Sequence, residues 1–348
     1  MKDTKLIVGM PAGSLADPTR GGSLVNLLKR AGFPSKGYDQ GGPTSFPLTS
    51  FLVGWDGRPQ EFGSQLDIEE IDVAISGNDW VRERQLEAHY AFGKDIELEN
   101  VLSLERGGVR IVIISRDADE AGCDDWMKDL LSKKRLVTMV SEMPYLALEW
   151  FQKKAAQLGF GDSHNEFSVQ KFRTPPRIDS GLVIYETWGK TEAKVKNESV
   201  DFGLEITQSG SAIRNYGLKI ADVVMHSETS VWINASLRKN AEKRDLAHMF
   251  LLNLHGAVYA EGKVLCLFNC PKERTKAIVA YLEKHQLFAN EPTMNEGVHY
   301  VEFSIQLEVN SKELPLAQVR YELAKLGATG IETVPLESSI PGLNAVDF

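Results

Sequence analysis

Apolar residues along this chain fall into short solid blocks separated by stretches of three-and-four spacing, the pattern of buried strands alternating with amphipathic helices. Residues 6–10 form the first block and run into a Pro-Ala-Gly-Ser turn, after which residues 24–31 have helical spacing. Residues 71–77 make a second buried strand, and Asn78-Asp79-Trp80 beyond it is a place where a helix can begin. A third apolar strand spans 109–114, a charged helical region follows over 119–134, and 136–140 opens another strand and helix unit that runs to 158. The Gly/Pro-rich stretch 37–47 predicts irregular backbone, as does 159–180, where Pro175-Pro176 lies between Arg173 and Arg177. Alternation of this kind favours an α/β chain with two doubly wound lobes, with ligands at the carboxyl ends of the strands.

The pattern changes near the carboxyl end. Strand (264–268), helix (272–285), strand (299–309), helix (314–326) and strand (331–335) predict a small α+β module with an antiparallel sheet, reached through a helix over 245–259 that Gly256 interrupts. No short-period repeat, low-complexity tract or coiled-coil heptad is present.

Composition narrows the class. The 348 residues are 43% hydrophobic and 25% charged, as in globular proteins, and a formal net charge of -9 argues against a general nucleic-acid or anionic-membrane surface. Any polyanion site must be local. Cys123, Cys266 and Cys270 are too few and too irregularly spaced for a disulfide scaffold, which suggests a reducing compartment, and Cys266 and Cys270 lie in an apolar run that should be buried. The first ten residues lack the features of a signal peptide and no window approaches membrane-spanning length, so a cytoplasmic protein is expected.

The most informative segment is Glu205-Ile206-Thr207-Gln208-Ser209-Gly210-Ser211-Ala212-Ile213-Arg214, preceded by Asp201. Carboxylates can accept from ribose hydroxyls, and a turn of small residues can offer backbone N–H groups and hydroxyls to a phosphate. An ordinary surface turn has the same composition.

The order of the motifs resembles ATP phosphoribosyltransferase, the first enzyme of histidine biosynthesis, in its long form. Pro11-Ala12-Gly13-Ser14-Leu15, the run from Asp72 to Trp80, the run from Asp201 to Leu218, Ser227-Glu228-Thr229 with the Val231-Trp232-Ile233-Asn234 that follows, and a terminal module with Asn269-Cys270-Pro271 come in the family's order. The resemblance implies two periplasmic-binding-protein-like lobes, the first from 1–108 with 218–256 and the second from 109–217, plus a ferredoxin-like, ACT-like regulatory domain over 262–340. It implies that N1 of ATP attacks the anomeric carbon of 5-phosphoribosyl diphosphate and expels pyrophosphate, with Mg²⁺ on the phosphates; no metal ligands are assigned. Asp201 and Glu205 become the ribose-side carboxylates, and Thr207, Gln208, Ser209, Gly210, Ser211, Ala212 and Ile213 the phosphoribosyl diphosphate loop. Gly13, Ser14, Leu15, Arg58, Gly77, Asn78, Asp79 and Thr138 are placed near ATP, and Asn269, Pro292 and Thr293 at a histidine site. Histidine and AMP are implied as inhibitors and a homo-oligomer, from dimer to hexamer, as the assembly.

Three departures from the family pattern stand out. The opening turn has Ala12 and Ser14 where the family has a lysine and often an arginine, a loss of charge-assisted contacts to polyphosphate that Arg20, Lys29 or a neighbouring subunit would have to make good. Ile184 stands where a glutamate is usual, with Glu186 two positions on, and Asn269 stands where an acidic residue is often found. The missing cations favour the alternative of a non-catalytic two-lobed nucleotide or small-molecule sensor on the same fold.

Overall fold

The computed structural model describes residues 4–13, 15, 23–116, 123–288 and 293–348. Two compact units emerge, one containing Ser35–His248 and a smaller one formed by Leu27–Pro34 with Met249–Val346.

The chain begins with β1 (Leu6–Pro11) of the larger unit and α1 (Leu24–Arg30), whose residues from Leu27 on belong to the smaller one, and continues in the larger unit with β2 (Leu52–Gly57), α2 (Pro59–Asp67), β3 (Val73–Gly77) and α3 (Asn78–Phe92). The three strands are parallel, in the order β2-β1-β3, and nearly every residue of β1 and β3 is buried, as a strand covered on both faces requires. Phe62 and Leu66 of α2 pack with Ile71, Ala74 and Val81 to form the core of this first lobe.

The chain then enters β4 (Leu98–Ser115), α4 (Cys123–Lys133), β5 (Leu136–Ser141), α5 (Pro144–Gln157), β6 (Phe167–Lys171), β7 (Gly181–Glu186), α6 (Thr191–Lys196), β8 (Phe202–Thr207), α7 (Ser211–Asn215) and β9 (Lys219–Asn234). Strands β8, β5, β7 and β6 lie parallel in that order and make the second lobe, with Phe151, Phe202 and Met139 fully buried at its centre. The expected doubly wound pair is therefore present. The long antiparallel strands β4 and β9 run through both lobes and join them into one sheet of nine strands, order β2-β1-β3-β9-β4-β8-β5-β7-β6.

Two local expectations change. The stretch 159–180 is not wholly irregular, because Phe167 to Lys171 add β6 as an edge strand; its apolar residues alternate with Ser168 and Gln170, which disguises it as a polar loop. The strand expected over 109–114 is the second half of the 18-residue β4, whose earlier part is broken by register shifts around Arg106 and by left-handed backbone at Glu105 (φ 53) and Gly107 (φ 65).

Helix α8 (Ala241–Tyr259) leads into the smaller unit, and Gly256 does not interrupt it. A side chain there would sit 2.6 Å from Ile340 Cγ1 and 2.7 Å from Ser338 Oγ, so the glycine admits the close passage of the chain end. Beyond α8 come β10 (Lys263–Pro271), α9 (Thr275–Lys284), β11 (Thr293–Glu296), β12 (Tyr300–Glu308), α10 (Leu316–Lys325) and β13 (Thr329–Pro335), in an antiparallel sheet of order β11-β12-β10-β13. With β11 added, this is the ferredoxin-like βαββαβ arrangement. Phe268 and Phe303 stack at 5.0 Å under the helices, and Cys266 and Cys270 are fully buried beside them. No helix among the described residues is long and apolar enough to cross a membrane.

Candidate active site

Strand ends of the first lobe, the bulged middle of β4 and β9, and strand ends of the second lobe enclose a cavity of about 740 Å³. Gly13, Leu15, Arg58, Gly77 and Asp79 come from the first lobe, Gly107 to Val109 and Ser227 to Thr229 from the crossing strands, and Trp188, Ile206 and Gln208 from the second lobe. A side cavity of about 470 Å³ shares Gln208, Ser227 and Glu228 and adds Asn78, Arg110 and His226. The register shifts of β4 explain why backbone is available here. A ladder that stays in register would use its N–H and C=O groups on its neighbour.

The loop after β8 is shaped by local hydrogen bonds. Gly210 has φ 75 and caps α7; its N–H is held by Thr207 Oγ1 at 2.9 Å, and Arg214 Nη1 donates to Ser209 O at 3.1 Å. A methyl group on Gly210 would lie 3.0 Å from Arg214 Nη1 and 3.7 Å from Arg110 Nη2. Two guanidiniums thus flank the loop Gln208 to Ser211, with Ala212 and Ile213 following inside α7. Arg214 was legible as the end of the motif. Arg110 was not singled out, although a cation between Val109 and Ile111 is conspicuous in an apolar strand, and its pairing with both Thr207 and His226 puts it at the loop.

On the opposite wall, Gly77 leaves no room for a side chain, because a Cβ there would meet Asp79 Oδ1 at 2.3 Å. Asp79 is buried, its N–H donates to Ser227 Oγ at 3.0 Å, and burial pushes its carboxyl above the ordinary range against hydrogen bonds from Ser227 and Trp80 that pull it down. Asn78 does not cap α3. Its Oδ1 accepts from Trp232 Nε1 at 3.2 Å and Asn100 Nδ2 at 3.3 Å. Arg58, exposed at the start of α2, reaches the same cavity. Ala12, Gly13 and Leu15 bring no charge to it, while Ser14 and Arg20 lie outside the described residues.

Of the expected phosphoribosyl diphosphate loop, Gln208 lines both cavities while Thr207 and Ser209 to Ile213 line neither, and Asp201, Thr138 and Glu205 line neither as well. Asp201 stands at the amino end of β8, about 20 Å from Thr207 at some 3.3 Å per residue, where Oδ2 accepts from Thr138 N at 2.9 Å and Thr138 Oγ1 at 3.0 Å and Oδ1 pairs with Lys134. Thr138 is therefore at the same far edge, tied to Asp201 rather than facing a nucleotide. Glu205 points to the α6 side of β8, since residues alternate along a strand and its neighbours Ile206 and Gln208 face the cavity. Burial raises its carboxyl to about 7, helped by the nearby charges of Glu192 and Glu142 and opposed by bonds from Ile206 N and Thr191. Glu192 and Glu142 are thus the carboxylates near Glu205. In the cavity itself the carboxylate besides Asp79 is Glu228, held by Ser103 Oγ at 2.6 Å.

In the smaller unit Asn269 and Thr293 share one exposed sheet face, two strands apart: Asn269 pairs with Glu302, and Thr293 with Ser304, which lies opposite Leu267. Pro292 lies outside the described residues.

Comparison with known proteins agrees with this architecture. The family model described as ATP phosphoribosyltransferase matches residues 58–256. ATP phosphoribosyltransferase of Trichlorobacter lovleyi is 28% identical over 348 residues, covering 97% of this chain and 99% of its own, and that of Geotalea daltonii is 28% identical over 340 residues, covering 95% and 98%. Among solved structures, the ATP phosphoribosyl transferase (HisG:HisZ) complex from Thermotoga maritima aligns with a TM-score of 0.47 at 14% identity, over 72% of this chain and 98% of that one. The match spans both lobes and the crossing strands that enclose the cavity, and the chain belongs to the ATP phosphoribosyltransferase family, the transferases of the first step of histidine biosynthesis.

Proposed function

We propose that the cleft of the larger unit binds 5-phosphoribosyl diphosphate on its second-lobe side and ATP on its first-lobe side, with the residues above in defined roles. The observation that carries the reading is the loop Gln208 to Ser211 flanked by Arg110 and Arg214, with Gln208 and Arg110 lining the side cavity. The loop's backbone and hydroxyls hold the 5-phosphate, and the guanidiniums balance its charge. Glu228, facing both cavities, accepts from the ribose hydroxyls. N1 of ATP forms a bond to the anomeric carbon as the carbon–oxygen bond to the diphosphate breaks, the electron pair leaving with pyrophosphate. Positive charge develops on the ribose in between, and Glu228 is placed to stabilise it. Glu205 stands behind the loop and supports α6 rather than touching substrate.

Mg²⁺ fits this donor set. A magnesium ion carried by a diphosphate needs only one or two carboxylates, and Asp79, buried at a cost to its charged form, and Glu228 line the cavity. When bound, the ion would neutralise charge on the departing pyrophosphate.

The smaller unit is assigned to feedback by histidine on the face that carries Asn269 and Thr293, with AMP as a further inhibitor competing at the ATP side. A cytoplasmic homo-oligomer, dimer to hexamer, completes the reading. The test is direct: incubate the chain with ATP, Mg²⁺ and 5-phosphoribosyl diphosphate and follow the N1-substituted product by its ultraviolet absorbance. Absence of product at high protein concentration, with both ligands bound, overturns the reading in favour of a sensor.

A further inference from the structure

The turn between β7 and α6 is anchored along its length. Thr187 N donates to Ser141 O at 3.0 Å, Gly189 N donates to the Glu142 carboxylate, and Lys194 Nζ donates to Gly189 O at 2.7 Å. Gly189 (φ 81) and Lys190 (φ 61) set the direction of the turn. Trp188 sits on it with 63% of its surface exposed and its side chain against the cavity of about 740 Å³. An indole is among the more costly groups to leave in water, and a turn fixed in this way does not let it fold back into the second-lobe core. Rigid scaffolds that hold an aromatic ring over a cleft are suited to a planar ligand, because stacking then loses little side-chain entropy.

The other walls point the same way. Leu15, Trp80, Val109 and Ile206 make this part of the cavity apolar, and among the described residues Arg58 is the cation that lines it. Among the described residues, Ala12, Gly13 and Leu15 of the opening turn bring apolar or uncharged surface to this part of the cavity.

We propose that Trp188 is the wall of the acceptor-base site: its indole stacks on the flat face of the purine and supplies a large share of the acceptor's affinity. This rests on the assignment of ATP to the first-lobe side of the cleft. The full chain, W188A and W188F are titrated with ATP and with adenosine by calorimetry, alongside steady-state kinetics. W188A should weaken ATP and adenosine alike, each by about ten-fold, with W188F recovering most of the loss. The effect should appear in KM for ATP, with kcat at saturation and the affinity for 5-phosphoribosyl diphosphate unchanged. Unchanged ATP affinity in W188A overturns the inference and leaves the transferase reading intact, and so does an equal loss of 5-phosphoribosyl diphosphate affinity, which would mean a collapsed turn. Trp188-dependent ATP binding without product formation overturns the transferase reading and leaves the base wall standing. If the wild-type chain binds neither ATP nor adenosine, both fall.

Discussion

Replacing Glu83 with glutamine removes a titratable proton from a carboxyl that links the helices of the two lobes. Glu83 lies in α3 of the first lobe, is 5% exposed, and accepts from Tyr145 N at 3.0 Å and Leu146 N at 2.7 Å, the first free N–H groups of α5 in the second lobe. Burial is the largest influence on this carboxyl and raises it from 4.5 to about 8, although both backbone donors favour the charged form. Because the folded value lies above the unfolded one, the contribution to stability is complete below pH 4.5 and is lost as the pH rises through 8. At 1.36 kcal/mol per pH unit, that interval corresponds to about 5 kcal/mol. Glutamine cannot titrate, but its amide NH₂ must face one of the two N–H donors, which costs about 1–3 kcal/mol. E83Q should therefore be less stable than wild type by about 1–3 kcal/mol at pH 4.5 and more stable by about 2–4 kcal/mol at pH 9. Urea unfolding at pH steps between those limits gives the two curves, and their difference removes contributions from other titrating groups. A difference that stays constant with pH, or that moves against E83Q as the pH rises, would refute the assignment of a buried, neutral Glu83.

Three further substitutions separate the roles of the cleft residues. Gly210→Asp should abolish 5-phosphoribosyl diphosphate binding in calorimetry, because it sets a carboxylate where the phosphate would lie and strains a backbone at φ 75; retained binding sinks the loop assignment. Arg110→Ala should weaken 5-phosphoribosyl diphosphate by about 10- to 100-fold through loss of a charge-assisted contact, leave ATP affinity alone and reduce the salt dependence of donor binding. Asp201→Ala should lower stability by about 1–3 kcal/mol in denaturant melts, since it orphans the donors of Thr138, while kcat and the donor's KM stay within about two-fold; a stable variant with lost donor binding would restore Asp201 to the site.

The sequence carried the architecture because the architecture is written in periodicity. Solid apolar blocks such as 71–77 and 136–140 can only be buried strands when helical spacing follows them, and both became central strands of a doubly wound lobe. Edge elements were harder to read. Strands β6 and β11 bury little, so they carry polar residues in the pattern of a loop, and only hydrogen-bonded partners reveal them. The same distinction governs the site. The loop Gln208 to Ile213 stands out in the sequence because its features are local: a left-handed glycine, small hydroxyl residues and a following arginine form one continuous motif. Asp201 and Glu205 stand apart from the lining of the cavities because spacing in sequence does not state direction in space. On a strand, four residues amount to about 13 Å of length, so a carboxylate at the amino end cannot join chemistry at the carboxyl end. One residue's offset sends Glu205 to the face opposite Gln208. Arg110, Glu228 and Trp188 come from three other segments and meet the loop only because β4 and β9 cross between the lobes and a fixed turn projects the indole. Local motifs thus point to the loop proposed to grip phosphate. The wall proposed to receive the base is assembled by topology, and the fixed tryptophan that stands on it becomes visible only when both lobes are seen together.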